Sequence, residues 1–142
     1  MKDNWRYVIL HHTGAEDLNA AQVERYHLSL GWSAVGYNYI IENSGRIVVG
    51  RSLNLPGAHC RASGMNFRGI GVALTGNFDR RKPTMAQVTS LADLLFELYL
   101  SHDIPPDRIL GHSQVPGAKT RCPGRNFPLQ GLFELLAARL RG

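Results

Sequence analysis

The side chains able to hold a metal ion gather in two short stretches near opposite ends of the chain. YVILHHTG, residues 7–14, leads an apolar run into His11 and His12, and GHSQVPGAKTRCPG, residues 111–124, sets His112 and Cys122 among glycines and prolines. Imidazole nitrogen and thiolate sulfur are good zinc ligands. Three protein ligands leave the fourth position of a tetrahedral ion to water or substrate, which is the pattern of a catalytic centre. A structural zinc would want a fourth protein ligand, and His59 or Cys60 can supply one. Taken singly, each histidine reads equally well as a surface or hydrogen-bonded residue, and Cys122 as a small buried hydrophobe. The spacing matches no zinc-finger pattern.

If these residues are to meet, strands and turns must bring them together. Residues 5–11 read as a buried strand ending at His11, since Tyr7, Val8, Ile9 and Leu10 are mostly strand formers. Asn19 with Gln22 resembles a capping box opening a helix, with Val23, Tyr26, His27 and Leu30 at helical spacing and Gly31 as its stop. VGYNYIIENSGRIVVGR reads as a hairpin turning at NSG, and GIGVALTGNF as a strand apolar throughout, hence central to a sheet. Thr84 and Gln87 form a second capping box, with Met85, Val88, Leu91, Ala92, Leu95, Leu98 and Tyr99 on one stripe. A short strand, RIL, enters the His112 loop, and a last helix covers residues 129–140. Helices alternate with strands, so an α/β fold with a central sheet flanked by helices is the economical arrangement.

The 142 residues fit one domain over 1–142, and 44% hydrophobic with 19% charged content describes an ordinary globular chain. No apolar run is long enough for a membrane span, so no membrane insertion is expected. MKDNWRYVIL carries no signal-peptide apolar region. The expectation is a protein that stays cytoplasmic until released, or a domain of a larger exported one. A net charge of +5 suits an anionic partner, nucleic acid or bacterial cell wall. No stacking-aromatic signature of an RNA-binding module is present, so no nucleic acid is expected. Cys60 and Cys122 have the number for one disulfide, but nothing marks them as a framework.

Four blocks in order, VILHHTG, GWSAVGYNYIIENSGRIVVGR, GAHCRASGMNFRGIGVALTGNF and ILGHSQVPGAKTRCPG, resemble the zinc N-acetylmuramoyl-L-alanine amidases of the bacteriophage-lysozyme and peptidoglycan-recognition-protein type. The resemblance runs from Tyr7 to Gly124. It implies a mixed sheet with helices around it and a zinc ion held by His11, His112 and Cys122, leaving His12 a structural role. It also implies Tyr37 of GYN as a catalytic residue, with Thr120 at a position where relatives carry lysine or threonine. The partner it implies is peptidoglycan or a muropeptide, cut by a monomeric enzyme of the phage or prophage endolysin kind. A binding module of the same fold, gripping muropeptides without cleaving them, is the alternative.

The amide between N-acetylmuramic acid and L-alanine is unreactive at neutral pH, and a zinc ion both polarises a carbonyl and acidifies bound water. Tyr37 keeps its proton at neutral pH and can donate to the developing oxyanion, and the Thr120 hydroxyl can add a second donor. Cell-wall-recycling relatives carry a glutamate in the strand matching GIGVALTG, where this chain has Ala73 and Thr75, which argues against that mechanism. His59 is a candidate for substrate binding and equally for anchoring its loop. Asn66 is a second substrate-binding candidate, although an Asx-type bond holding the loop is the preferred reading, as for Asn77. Trp32 is expected to pack under the Tyr37 loop. Ser52 and Leu53 follow Arg51 where many recognition proteins have Gly-Trp, so preference for the third stem-peptide residue is unassigned.

Overall fold

The apolar run before the histidine pair forms the strand expected of it. In the computed structural model, which describes residues 5–16 and 19–142, β1 is Tyr7–His12. The reading of Lys2, Asp3 and Asn4 as lacking a secretion address lies outside the described residues. The elements that follow are α1 (Ala20–Ser29), β2 (Tyr39–Ile41), β3 (Ile47–Val49), α2 (Met65–Arg68), β4 (Gly69–Leu74), α3 (Met85–His102), β5 (Ile109–Gly111) and α4 (Leu129–Arg141).

The strands make one sheet in the order β3-β2-β4-β1-β5. β2 and β3 pair antiparallel across the hairpin, while β2–β4, β4–β1 and β1–β5 are parallel. The expected mixed sheet flanked by helices is therefore the fold. All six residues of β4 are buried, as a central parallel strand requires. Parallel pairing puts the C-terminal ends of β1, β4 and β5 at one rim, where His11, Ala73 and Gly111 end up. In open α/β sheets that rim is where ligands bind.

Both predicted helix starts are observed. The Asn19 side chain accepts the Gln22 N–H (3.0 Å), and Thr84 and Gln87 exchange both bonds of a capping box. Gln87 also reaches inward, its buried amide donating to the carbonyls of Ile41 (3.1 Å) and Thr75 (3.0 Å), so the same residue that starts α3 ties it to the ends of β2 and β4. Two residues assigned to the buried stripe of α3 are exposed, Met85 (74%) and Tyr99 (38%). The helix packs against α4 as well as the sheet, so its buried arc swings to take in Leu94, and the first and last turns project beyond it. The core joins Val8, Leu10, Ile70 and Val72 of the sheet to Leu91, Leu95 and Leu98 of α3 and to Leu132 and Leu136 of α4. The hairpin strands are shorter than their alternating pattern, and Tyr37 and Asn38 precede β2 instead of lying in it. Cys60 and Cys122 are both free thiols.

Candidate metal centre

Side chains alternate across a strand, so His11 and His12 cannot serve one site. His11 is 2% exposed and faces the rim, while His12 turns away and accepts the Phe78 N–H at Nδ1 (2.9 Å) with its ring against Phe78. His112 follows β5 directly and opens a single 3-10 turn, His112–Gln114. Gln114 fixes that turn by accepting the Gly111 N–H (2.8 Å), and Ser113 N–H donates to the Cys122 carbonyl (2.8 Å), folding the Pro- and Gly-rich loop back on itself. Cys122 thereby lands beside β1. Its sulfur accepts the His12 N–H (3.4 Å) and lies 3.5 Å from Nδ1 of His11.

His11, His112 and Cys122 each offer one ligand atom, and these atoms lie within 4.8 Å of one another. Zn–N bonds of about 2.1 Å and Zn–S bonds of about 2.3 Å at tetrahedral angles set ligand atoms about 3.5 Å apart. The His11–Cys122 separation already equals that edge, and two imidazole nitrogens with one sulfur are a donor set of the kind zinc takes. The three surround an open cavity of about 330 Å³, also walled by His27, Trp32 and Tyr37. No carboxylate is among its described lining residues, in keeping with Ala73 standing opposite His11 in β4.

Burial governs the protonation of the cluster. It drives the His11 pKa well below the ordinary 6.5, with His59, His112 and His12 adding to the effect, and it lowers that of His112. His59 falls to about 4, burial outweighing the Gly69 carbonyl that favours the charged ring. Burial pushes the Cys122 thiol up to about 12, the bond to His12 backbone opposing it. Without metal, the site thus holds neutral imidazoles ready to coordinate and a thiol that must lose its proton to do so.

Tyr37 stands at the cavity wall with its ring 5.2 Å from that of His11. The 34–38 segment that carries it is held from three sides, by residues that sequence reading left without a role in the site. Arg51 Nε and Nη2 donate to the carbonyls of Val35 (3.0 Å) and Ala34 (3.3 Å). Asn38 exchanges bonds with β4 through Gly71 and donates to the Arg51 carbonyl. His27, buried on α1, accepts the Gly36 N–H at Nδ1 (3.0 Å). Helical spacing marked His27 only as a face residue, and nothing local signalled its partner nine positions on. Trp32 lies against the Tyr37 loop at Gly36 but is not buried beneath it: it is 37% exposed on the groove wall, its ring tilted 52° to that of His27 with centroids 4.6 Å apart.

The other candidates are distributed around the cluster. His59 lies in the cavity wall with both ring nitrogens bonded, to His11 Nε2 (2.9 Å) and the Gly69 carbonyl (2.8 Å). Asn66 holds its loop, but not by the expected Asx-type bond: its Oδ1 accepts the N–H groups of His59 and Cys60, both at 2.8 Å, seven and six positions back along the chain. Asn77 makes the Asx bond, accepting the Asp79 N–H two positions on (3.1 Å). Thr120 is exposed, its hydroxyl accepts the Cys122 N–H (3.1 Å), and it is not brought into the wall of the 330 Å³ cavity. Adjoining cavities share walls with the central one: one of about 370 Å³ bounded by Thr13, Tyr26, His27 and Tyr37, and one of about 460 Å³ bounded by Trp32, His59, Asn66 and His112. The ligand cluster therefore sits midway along a trough. A larger cavity of about 630 Å³ between α1 and the β2–β3 hairpin is lined by neither cysteine nor histidine.

The sequence family model described as N-acetylmuramoyl-L-alanine amidase matches residues 1–125. The chain belongs to that amidase family. Within it, the chain is 36% identical over 131 residues to peptidoglycan-recognition protein SC2 of Drosophila melanogaster, covering 85% of this chain and 69% of that protein. It is 34% identical over 121 residues to a human N-acetylmuramoyl-L-alanine amidase, covering 83% of this chain but 19% of the human protein. Among solved structures, the endolysin amidase LysCS of Clostridium intestinale URNW superposes with a TM-score of 0.80 at 35% identity, covering 97% of this chain and 84% of that one. The proteins this chain is similar to thus include ones named as enzymes and ones named for recognition. Among the described residues, no helix is long and apolar enough to cross a membrane.

Proposed function

We propose that this amidase-family chain is a zinc hydrolase that cuts the amide between N-acetylmuramic acid and L-alanine in peptidoglycan, acting as one catalytic domain over residues 1–142. The observation that carries the reading is the convergence of His11, His112 and Cys122 at the wall of a trough that also presents Tyr37.

His11, His112 and Cys122 would hold the ion, which when bound supplies Lewis acidity toward the scissile carbonyl and toward a water molecule. The trough on either side of the cluster has room for chain in both directions, as a glycan–peptide junction demands. Tyr37, on a segment braced by Arg51, Asn38 and His27, would offer its phenol as a hydrogen-bond donor to the carbonyl oxygen as negative charge develops there. A donor whose backbone is already fixed needs little reorganisation as the reaction proceeds. Thr120 acts through Cys122, its hydroxyl satisfying the amide of the ligand residue, and Asn66 acts through the backbone of His59. Among the described residues lining the cavity, none is a carboxylate able to act as a general base.

The rival reading, a module that binds muropeptides without cleaving them, draws on the relatives named for recognition. A full ligand set beside Tyr37 favours hydrolysis. The deciding experiment is digestion of purified cell wall by zinc-loaded protein, followed by mass spectrometry. New L-alanine N-termini without new reducing sugars support the amidase, and binding to the wall with no released product overturns it in favour of the binding module.

A further inference from the structure

We infer that His59 is a positioning residue, whose ring locks His11 in the one tautomer that presents Nδ1 to the metal. The inference rests on the reading of His11 as a zinc ligand and adds the residue that aims it.

The direction of each hydrogen bond follows from chemistry alone. The Gly69 carbonyl, 2.8 Å from His59 Nε2, can only accept, so His59 Nε2 carries the hydrogen. A neutral imidazole that donates at one nitrogen accepts at the other, which makes His59 Nδ1 an acceptor. The atom facing it at 2.9 Å is His11 Nε2, which must therefore donate. Neutral His11 is left with its lone pair on Nδ1, the nitrogen 3.5 Å from Cys122 Sγ. A backbone carbonyl of β4 thus dictates, through two rings, which nitrogen of His11 is free to bind metal. Partners of this kind orient metal-ligating histidines and raise their basicity.

The surroundings of His59 are shaped for this ring. A Cβ on Gly71 would stand 2.6 Å from its Cγ and Cδ2, and a Cβ on Gly57 would stand 2.5 Å from Cδ2. The imidazole therefore occupies space that any other residue at 57 or 71 would fill. The backbone N–H of His59 is held at the same time by Asn66 Oδ1. The planes of the His11 and His59 rings are twisted 84° from each other with centroids 5.0 Å apart, a twist that an N–H···N bond along the in-plane lone pair accommodates. With both nitrogens committed inside the protein, the ring acts on His11 and not on substrate.

The test uses the metal-free protein and zinc alone. Long-range ¹H–¹⁵N spectra at neutral pH should show His11 and His59 both as Nε2–H tautomers. His59→Leu keeps apolar bulk but removes the acceptor; it should free His11 to populate the Nδ1–H form and weaken zinc binding by about 10–100-fold in competition with a chelator. His59→Gln, whose amide can accept from His11 and donate to Gly69, should recover most of that affinity. A wild-type His11 protonated on Nδ1 overturns the inference, as does a folded leucine variant with wild-type zinc affinity. Should the leucine variant fail to fold, the wild-type spectrum and the glutamine variant decide. None of these readings involves peptidoglycan, so a failure of hydrolysis would sink the proposed function while leaving this inference standing.

Discussion

Cys122 Sγ lies 3.5 Å from His11 Nδ1, although 111 positions separate the two residues in the chain. The contact depends on the β1–β5 pairing, which brings His112 alongside, and on the Ser113–Cys122 backbone bond that closes the loop. Loss of His112, which lies at the groove and not in the core, should act on the metal more than on the fold. His112→Ala, half-buried at the groove, is expected to keep its thermal transition in the metal-free state within a few degrees of wild type. Zinc content after purification should drop and cell-wall hydrolysis should vanish. Full zinc occupancy in the variant would remove His112 from the ligand set.

Zinc binding should release a proton. Burial holds the Cys122 thiol protonated up to about 12 in the metal-free protein, and the metal takes the thiolate. Affinity is expected to increase with pH across the neutral range. Calorimetric titration in buffers of differing ionisation enthalpy should count about one proton per ion. A count of zero at neutral pH would mean that the sulfur is not a ligand.

Acid should destabilise the metal-free protein well before carboxylates titrate. His59 is held at about 4 against an ordinary 6.5, so between those values the unfolded chain binds a proton that the folded one refuses. Stability from this group is complete above pH 6.5 and declines as pH falls toward 4, by about 3 kcal/mol. His11 and His112, also lowered, act with the same sign. Urea denaturation in chelator at pH 7.5 and pH 4.5 measures the difference, and equal midpoints would show that these rings titrate normally.

Tyr37→Phe should separate binding from chemistry. The ring still packs beside His11 and His27, so zinc affinity and stability are expected to change little. Loss of one oxyanion donor costs about 10²–10³ in kcat. Wild-type turnover in the variant would strip Tyr37 of its role.

Arg51→Ala should loosen Tyr37 from a distance. The guanidinium satisfies the carbonyls of Ala34, Val35 and Pro56, and truncation leaves them without that donor. A stability loss of about 2–3 kcal/mol is expected by chemical denaturation, with kcat reduced and zinc affinity unchanged. Unaltered kcat would show that the 34–37 segment holds its shape unaided.

The sequence by itself determined the elements and which of them are central. Thr84 with Gln87 announces α3, the six apolar residues of β4 announce an interior strand, and the run before His11 announces β1, because burial and capping are written in short-range patterns. The ligand set came from four ordered blocks of resemblance, since period and spacing alone left each histidine ambiguous. Tertiary structure decided the rest. Strand order and register brought His11, His112 and Cys122 to one rim, and no local pattern encodes which strands become neighbours. It also decided that His59 stands between His11 and the Gly69 carbonyl with both ring nitrogens bonded, that Thr120 serves the Cys122 amide, and that His27 and Arg51 brace the segment carrying Tyr37. Apart from the local Thr120–Cys122 bond, each of those facts is a hydrogen bond to a partner brought close by the fold.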